Sequence, residues 1–141
     1  MVWQSIANSE RGLRNLVRAV YSERFGNAAR ERIEAGLGER EREALVRALR
    51  SLPVGSDPLR VVDYLYLAQL PVLLVREDVW PTVRPKLRGD GDVKAKLRAA
   101  IEQIMPVRNE IAHVREVSSD RLQRASVACA DVLSMIGASG A

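Results

Sequence analysis

The sequence predicts an all-α protein, an antiparallel helical bundle of four long helices plus one short helix. Ala, Leu, Val, Arg and Glu dominate the 141 residues and aromatic residues make up only 4%, which favours helices over strands. Apolar residues recur at three- and four-residue spacing, and no segment alternates between apolar and polar residues as a strand would. Short connections between the predicted helices favour antiparallel neighbours.

Length and composition predict one domain over residues 1–137 with a disordered tail at 138–141. A single cysteine, Cys129, leaves no partner for an internal disulfide and no multi-cysteine zinc site. No segment resembles a signal peptide or reaches the roughly 18 apolar residues of a membrane span, so we expect a cytoplasmic protein with no membrane partner. The net charge of +4 is compatible with nucleic acid but does not require it.

The first helix is predicted from about Val2 to Phe25, because one apolar stripe runs along it and Gly26-Asn27 is a plausible helix stop. A second helix is predicted from Ala28 to about Leu52. Its first half has few apolar residues and carries two glycines, and the charge run Glu39–Glu43 in its second half is expected to be a solvated face.

A third helix is predicted to open at Asp57-Pro58, with Asp57 as the N-cap and proline at the first position. It continues to Leu70 and is apolar on most sides, so we expect it to be the most buried helix. Pro71 is expected to kink or end it. A short helix should follow the turn that leads to Trp80-Pro81.

Asp92 is the expected cap of the next helix, whose buried face begins at Val93. Pro106 must kink or restart that helix because it lacks a backbone donor. The segment 108–117 follows. The last helix is predicted from a cap at 118–120 to Met135 or Ile136, with Gly137 ending it.

Segment 108–113 (RNEIAH) holds the only histidine of the chain. On a helix, Asn109 and His113 lie on one face, and Arg108 flanks them on an adjacent face. Glu110 and Glu116 are each three residues from His113. Either carboxylate could fix the histidine tautomer and raise its pKa.

An arginine and a histidine can together cleave RNA without a metal. Histidine can accept the proton of the attacking 2′-hydroxyl or donate one to the leaving 5′-oxygen. A guanidinium can hold the phosphate oxygens as negative charge develops on them. Because one histidine does not easily serve as both base and acid, the mechanism favours a homodimer that brings two motifs together in a composite active site.

The same residues have a structural interpretation. A single histidine is usually structural or exposed, and an Arg and a His at this spacing occur by chance in many helices. The sequence offers no second histidine and no acidic cluster for a metal. No nucleophile-elbow pattern accompanies the histidine.

The chain resembles the HEPN family, whose signature is an arginine, four to six residues and then a histidine, often with a polar residue directly after the arginine. Asn109 fills that polar position. Segment 10–17 (ERGLRNLV) resembles the family's first helix. Segment 63–70 (DYLYLAQL), with the following Trp80, resembles its middle helix in the branch related to an RNA-surveillance endonuclease. The resemblance covers nearly the whole chain.

This resemblance implies a dimerising helical bundle that acts as a metal-independent, cofactor-free endoribonuclease in a toxin–antitoxin or phage-defence setting. RNA would be the substrate, and an antitoxin or a nucleotidyltransferase the further partner. Arg108 and His113 carry over as catalytic residues and Asn109 as their polar support, with Glu10 contributing from the first helix.

The sequence leaves two other functions open. Many HEPN domains are non-catalytic modules that bind nucleotides or RNA or that dimerise, and the scarcity of aromatic residues slightly favours such a module, since RNA readers often use aromatic stacking. The other alternative is a plain helical scaffold with His113 buried and hydrogen-bonded. Loss of RNA cleavage in His113→Ala, with the fold intact, separates the enzyme from both.

Overall fold

The computed structural model describes residues 2–112 and 116–137, and every described element is helical. Seven α-helices are present in these ranges: α1 Val2–Phe25, α2 Ala29–Ala35, α3 Glu39–Leu49, α4 Gln69–Leu74, α5 Trp80–Val83, α6 Val93–Ala112 and α7 Ser119–Met135. Three short 3₁₀ segments at Gly26–Ala28, Pro58–Tyr64 and Arg84–Lys86 connect them. The all-α class is therefore confirmed, but the count differs from the predicted four long helices and one short one.

The contacts within the chain group it into two compact units, Met1–Leu13 with Arg84–Ala141 and Arg14–Val83. The first half of α1 belongs to the first unit and the second half to the second. None of the described helices is long and apolar enough to cross a membrane. The expected tail at 138–141 lies outside the described residues.

The first unit is built on α6 and α7, which pack along each other. The backbone N–H of Arg88, just before α6, donates to the carbonyl of Met135 at the end of α7, so the two helices run antiparallel. The core of the unit is apolar and almost fully buried: Ile6, Leu13, Val93, Leu97, Ile101, Ile104, Val107, Ala125, Cys129 and Val132.

The helix ends of the first unit follow their predicted caps. The Asp92 carboxylate accepts from the backbone N–H of Ala95, and the Ser118 hydroxyl oxygen accepts from that of Arg121. Gly137 follows α7 with φ +67°, a conformation that favours glycine. Pro106 lies inside α6 without interrupting it, so the helix reaches the motif in one piece instead of restarting.

The second unit corrects two predicted helices. The helix expected over 28–52 is divided into α2 and α3, and Gly36 and Gly38 lie between them. At Gly36 a Cβ atom would come within 2.7 Å of both Leu73 Cδ2 and Arg76 Nη1. The break therefore coincides with a point where α2 closely approaches the chain near Leu73.

The helix expected from Asp57 to Leu70 is also absent as a continuous element. Asp57 caps a 3₁₀ segment, accepting from the backbone N–H of Leu59, and an extended turn separates that segment from α4. Pro71 does not end a helix but lies in the first turn of α4, where its missing donor costs little. The predicted short helix after the Glu77–Pro81 turn is present as α5.

The buried side chains of the second unit come from each of its α-helices and from the chain between α3 and α4. They include Val17, Val20, Tyr21, Ile33, Leu45, Leu49, Val61, Val62, Leu65, Leu67, Leu70, Leu73, Leu74, Val79 and Val83. The heavy burial expected for the helix from Asp57 to Leu70 is thus present, but it is carried by a 3₁₀ segment, an extended turn and the start of α4 instead of one continuous α-helix.

Two arginines of α1 tie that backbone in place. Arg14 donates to the carbonyl of Leu65 at 3.0 Å, and Arg18 pairs with Asp63.

Candidate functional site

Three residues of the predicted motif lie near the C-terminal end of α6. Arg108 and Glu110 are half-buried there, and Asn109 is exposed. His113 lies outside the described residues. The predicted contacts of its ring to Glu110 or Glu116 therefore remain predictions. Glu116 itself is exposed in the segment before α7.

Arg108 pairs with Glu10 of α1, 98 residues away in the sequence. The Nε–H of Arg108 donates to Oε1 of Glu10 at 2.5 Å. The side chains are 24% and 12% exposed, so water screens this pair less than it screens a surface pair. The structure therefore brings together the predicted catalytic arginine and the residue expected to contribute from the first helix.

Helical spacing explains why this pair is half-buried. On α6, Ile104 and Val107 are fully buried, and Arg108 stands beside Val107 at the edge of that apolar stripe. On α1, Glu10 directly follows the buried Ser9 in the same way. Each charged side chain is thus partly buried and partly exposed to solvent.

The geometry of the ion pair determines what the guanidinium can do. Glu10 binds the Nε nitrogen, which leaves the two Nη nitrogens as a separate edge of the planar group. That edge has the spacing to contact two oxygens of a phosphate or carboxylate. The carboxylate of Glu10 both orients the guanidinium and offsets part of its positive charge.

Asn109 does not share the environment of Arg108. One residue further along a helix turns the side chain by about 100°, and Asn109 is accordingly exposed. Of the predicted catalytic residues, only Arg108 is therefore placed by a contact within the described residues.

A buried polar pair lies next to this site. Ser9 is fully buried, and its hydroxyl lies near the thiol of Cys129 on α7 without completing a hydrogen bond. Burial raises the pKa of the Cys129 thiol, and the nearby Ser9 hydroxyl offsets part of that rise. The thiol is thus held in its protonated form, as expected for a small buried side chain.

Sequence reasoning missed an open groove of about 850 Å³ between α6 and α7. Its lining residues include the small or apolar Ala99, Ala100 and Val127 and the basic Arg88 and Lys96. Among its lining residues in the described ranges, Arg108 and Asn109 do not occur. The signal that could have indicated the groove is the small alanines at facing positions of two adjacent helices.

No group of three His, Cys, Asp or Glu residues with the arrangement of a metal site is found in residues 2–112 and 116–137. Comparisons with protein-family models, with curated proteins and with solved structures found no match to this chain.

Proposed function

We propose that the protein is a metal-independent endoribonuclease of HEPN type. The observation that carries the proposal is the ion pair between Arg108 and Glu10, because it holds the motif arginine at a fixed place on the edge of a packed core. A guanidinium fixed in this way contributes to phosphate binding without first losing side-chain freedom.

In the proposed reaction, the 2′-hydroxyl of the RNA attacks the adjacent phosphate and the 5′-oxygen leaves. His113 is the general acid or base, and the Nη edge of Arg108 stabilises the charge that develops on the phosphate oxygens. The products are a 2′,3′-cyclic phosphate and a free 5′-hydroxyl. Asn109 supports the substrate from the solvent-exposed side of the same helical turn.

One motif supplies one histidine, and cleavage needs two proton transfers. The proposal therefore includes a homodimer in which two motifs form a composite active site. The setting is toxin–antitoxin or phage defence, with an antitoxin or a nucleotidyltransferase as the further partner, and rests on the resemblance to the HEPN family.

The test combines activity with oligomeric state. Wild-type protein and His113→Ala are incubated with total RNA in EDTA, and both are examined by sedimentation velocity. The proposal predicts that the wild type cleaves RNA as a dimer and that His113→Ala remains dimeric but inactive. Equal cleavage by the two proteins, or cleavage by a protein that stays monomeric, contradicts it.

A second candidate function is a non-catalytic module that binds nucleotides or RNA or that dimerises. The pairing of Arg108 with Glu10 favours it in one respect, because a carboxylate beside the guanidinium reduces its net attraction for phosphate. This module binds RNA or a nucleotide and leaves the RNA intact in the same assay.

A further inference from the structure

A second concave surface, in the unit Arg14–Val83, carries two of the three tyrosines of the chain. Tyr64 and Tyr66 line it together with Arg40, Leu45 and Gln69, and its volume is about 250 Å³. Drug-sized ligands occupy pockets of roughly 300–1,000 Å³. This groove is therefore sized for one small ring system and not for a large ligand or a helix.

Tyr66 is unusual among the aromatic residues because 65% of its surface is exposed. The chain has only six aromatic residues. Burying the ring of Tyr66 would stabilise the fold, since an exposed ring leaves its apolar surface in water. The exposed ring provides a flat apolar surface on which a planar ligand can stack.

The backbone around Tyr66 is fixed by hydrogen bonds on both sides. Its N–H donates to Oε1 of Gln69 at 2.8 Å, and its carbonyl accepts from the N–H of Gln69 at 2.9 Å. The preceding carbonyl of Leu65 accepts from Arg14 at 3.0 Å. Because the turn is already ordered, binding of a ligand to the ring does not lose conformational entropy in the turn.

The charge at this groove comes from the start of α3. Arg40 is exposed at the second position of the helix and lines the groove. The neighbouring Glu41 also lines the groove, and its carboxylate lies near Gly38, before the first residue of the helix. Arg40 is thus a cation beside an aromatic surface, the combination that binds a stacked base and its phosphate in single-stranded nucleic acids.

We propose that Tyr66, with Tyr64 and Arg40, binds one nucleobase of single-stranded RNA and the phosphate attached to it. The choice of RNA as the ligand rests on the proposed function. Tyr66 supplies the stacking surface, Arg40 contacts the phosphate, and the side-chain amide N–H groups of Gln69 face the edge of the base. Stacking tolerates any base, so the site holds the substrate without selecting a sequence.

The test measures binding in a background that does not cleave. The protein carries His113→Ala, the probe is a 12-nucleotide oligoadenylate with a 5′-fluorescein, and fluorescence anisotropy is followed in EDTA. Adding Tyr66→Ala should raise Kd roughly 5- to 100-fold through loss of base stacking. Tyr66→Phe keeps the ring and should stay within about twofold of the parent.

Two further variants complete the design. Trp3→Ala removes another exposed aromatic side chain, outside the groove, and should leave Kd within about twofold. Arg40→Ala should weaken binding and lower the dependence of log K on log salt by about one phosphate contact. Far-UV circular dichroism and urea midpoints confirm that each variant is folded.

The proposed site is contradicted if the parent His113→Ala protein does not bind the oligonucleotide or if adding Tyr66→Ala leaves Kd unchanged. It is also contradicted if Trp3→Ala weakens binding as much as Tyr66→Ala does. An equal loss in Tyr66→Phe also contradicts stacking. Binding of free AMP by a protein that does not bind the oligonucleotide overturns the assignment to RNA in favour of a free nucleotide. If binding depends on Tyr66 but the wild type does not cleave RNA, the binding site stands and the ribonuclease function is refuted. If the wild type cleaves RNA but binding does not depend on Tyr66, the ribonuclease function stands and the binding site is refuted.

Discussion

Nε of Arg108, near the C-terminal end of α6, donates a hydrogen bond of 2.5 Å to Oε1 of Glu10 in the middle of α1. The contact joins α1 to α6, and the two residues are 98 positions apart in the sequence. Both side chains are mostly buried. A charged pair in this position both stabilises the first unit and sets the direction of the one motif cation that the described residues hold in place.

Removing the charge of Glu10 should destabilise the protein, because Arg108 is then left half-buried beside a neutral group. We expect Glu10→Gln to lower the free energy of unfolding by about 1–3 kcal/mol. The matched control is Asp120→Asn, since Asp120 pairs with Arg124 at 3.1 Å on an exposed face of α7. That change should cost no more than about 0.5 kcal/mol. Urea unfolding at neutral pH measures both, and equal losses would argue against a special role for the buried pair.

A side chain at Gly36 should disturb the second unit. A Cβ atom there would lie 2.7 Å from Leu73 Cδ2, and Leu73 is fully buried. We expect Gly36→Ala to cost about 1–3 kcal/mol of stability through overpacking. Gly38→Ala is the control, because its Cβ would meet only the exposed and flexible Glu41 side chain. If thermal unfolding shows the two variants to be equally stable, the close approach at Gly36 does not constrain the fold.

The first and last helices could be predicted from the sequence because local signals agree with the packing. α1 begins and ends where its apolar stripe and Gly26 predict, and the Ser118 cap and Gly137 delimit α7. In each case the cap or stop residue acts through its own backbone neighbours, so no distant contact is needed to recognise it.

The segment 58–74 could not be predicted in the same way. Val61, Leu65 and Leu70 are buried, and an apolar run that is covered on all sides fits a helix, a 3₁₀ segment or a turn equally well. The carbonyl of Leu65, which a helix would satisfy internally, instead accepts from Arg14, 51 residues away. Long-range partners of this kind leave no local pattern in the sequence.

The candidate site was predicted in part. The motif spacing identifies Arg108, and the family resemblance adds Glu10, whose contact with Arg108 is then found in the structure. The groove beside Tyr66 was not predicted, because its exposure depends on the non-helical turn that periodicity had assigned to a helix. His113 remains a prediction from the sequence.

Deprotonation of the buried Tyr21 phenol should lower the stability of the protein at alkaline pH. Its hydroxyl is buried and donates to the carbonyl of Leu73 at 2.6 Å, and burial is the main cause that raises its pKa from 10.0 to about 12. A raised pKa means that the folded state favours the protonated phenol. Its stabilising contribution is therefore complete below pH 10 and is lost as the pH rises from 10 through about 12.

Urea unfolding of wild type and Tyr21→Phe across this pH range tests the effect. Tyr21→Phe should be less stable at neutral pH by about 1 kcal/mol, because the Leu73 carbonyl loses its donor. Its stability should then decline less steeply above pH 10 than that of the wild type. Parallel declines would show that the Tyr21 phenol does not govern the alkaline transition.

The Cys129 thiol should be unreactive in the folded protein, because it is fully buried and burial raises its pKa. With Ellman's reagent at pH 8, we expect the native protein to react at least about 100-fold more slowly than the same protein in urea. Ser9→Ala removes the hydroxyl beside the thiol and should leave the native rate low. A native rate that approaches the unfolded rate would mean that the packing of α7 against α1 opens readily.

The central claim is that Arg108 is the phosphate-binding half of a metal-independent ribonuclease. Its most direct test is to incubate wild type, Arg108→Ala and Arg124→Ala with a defined RNA in EDTA and to identify the 3′ ends by mass spectrometry. The claim predicts 2′,3′-cyclic phosphate ends from wild type and from Arg124→Ala, which loses only an exposed arginine of α7, and a loss of cleavage of about 100-fold or more in Arg108→Ala. Intact RNA with the wild type, or full cleavage by Arg108→Ala, would contradict it.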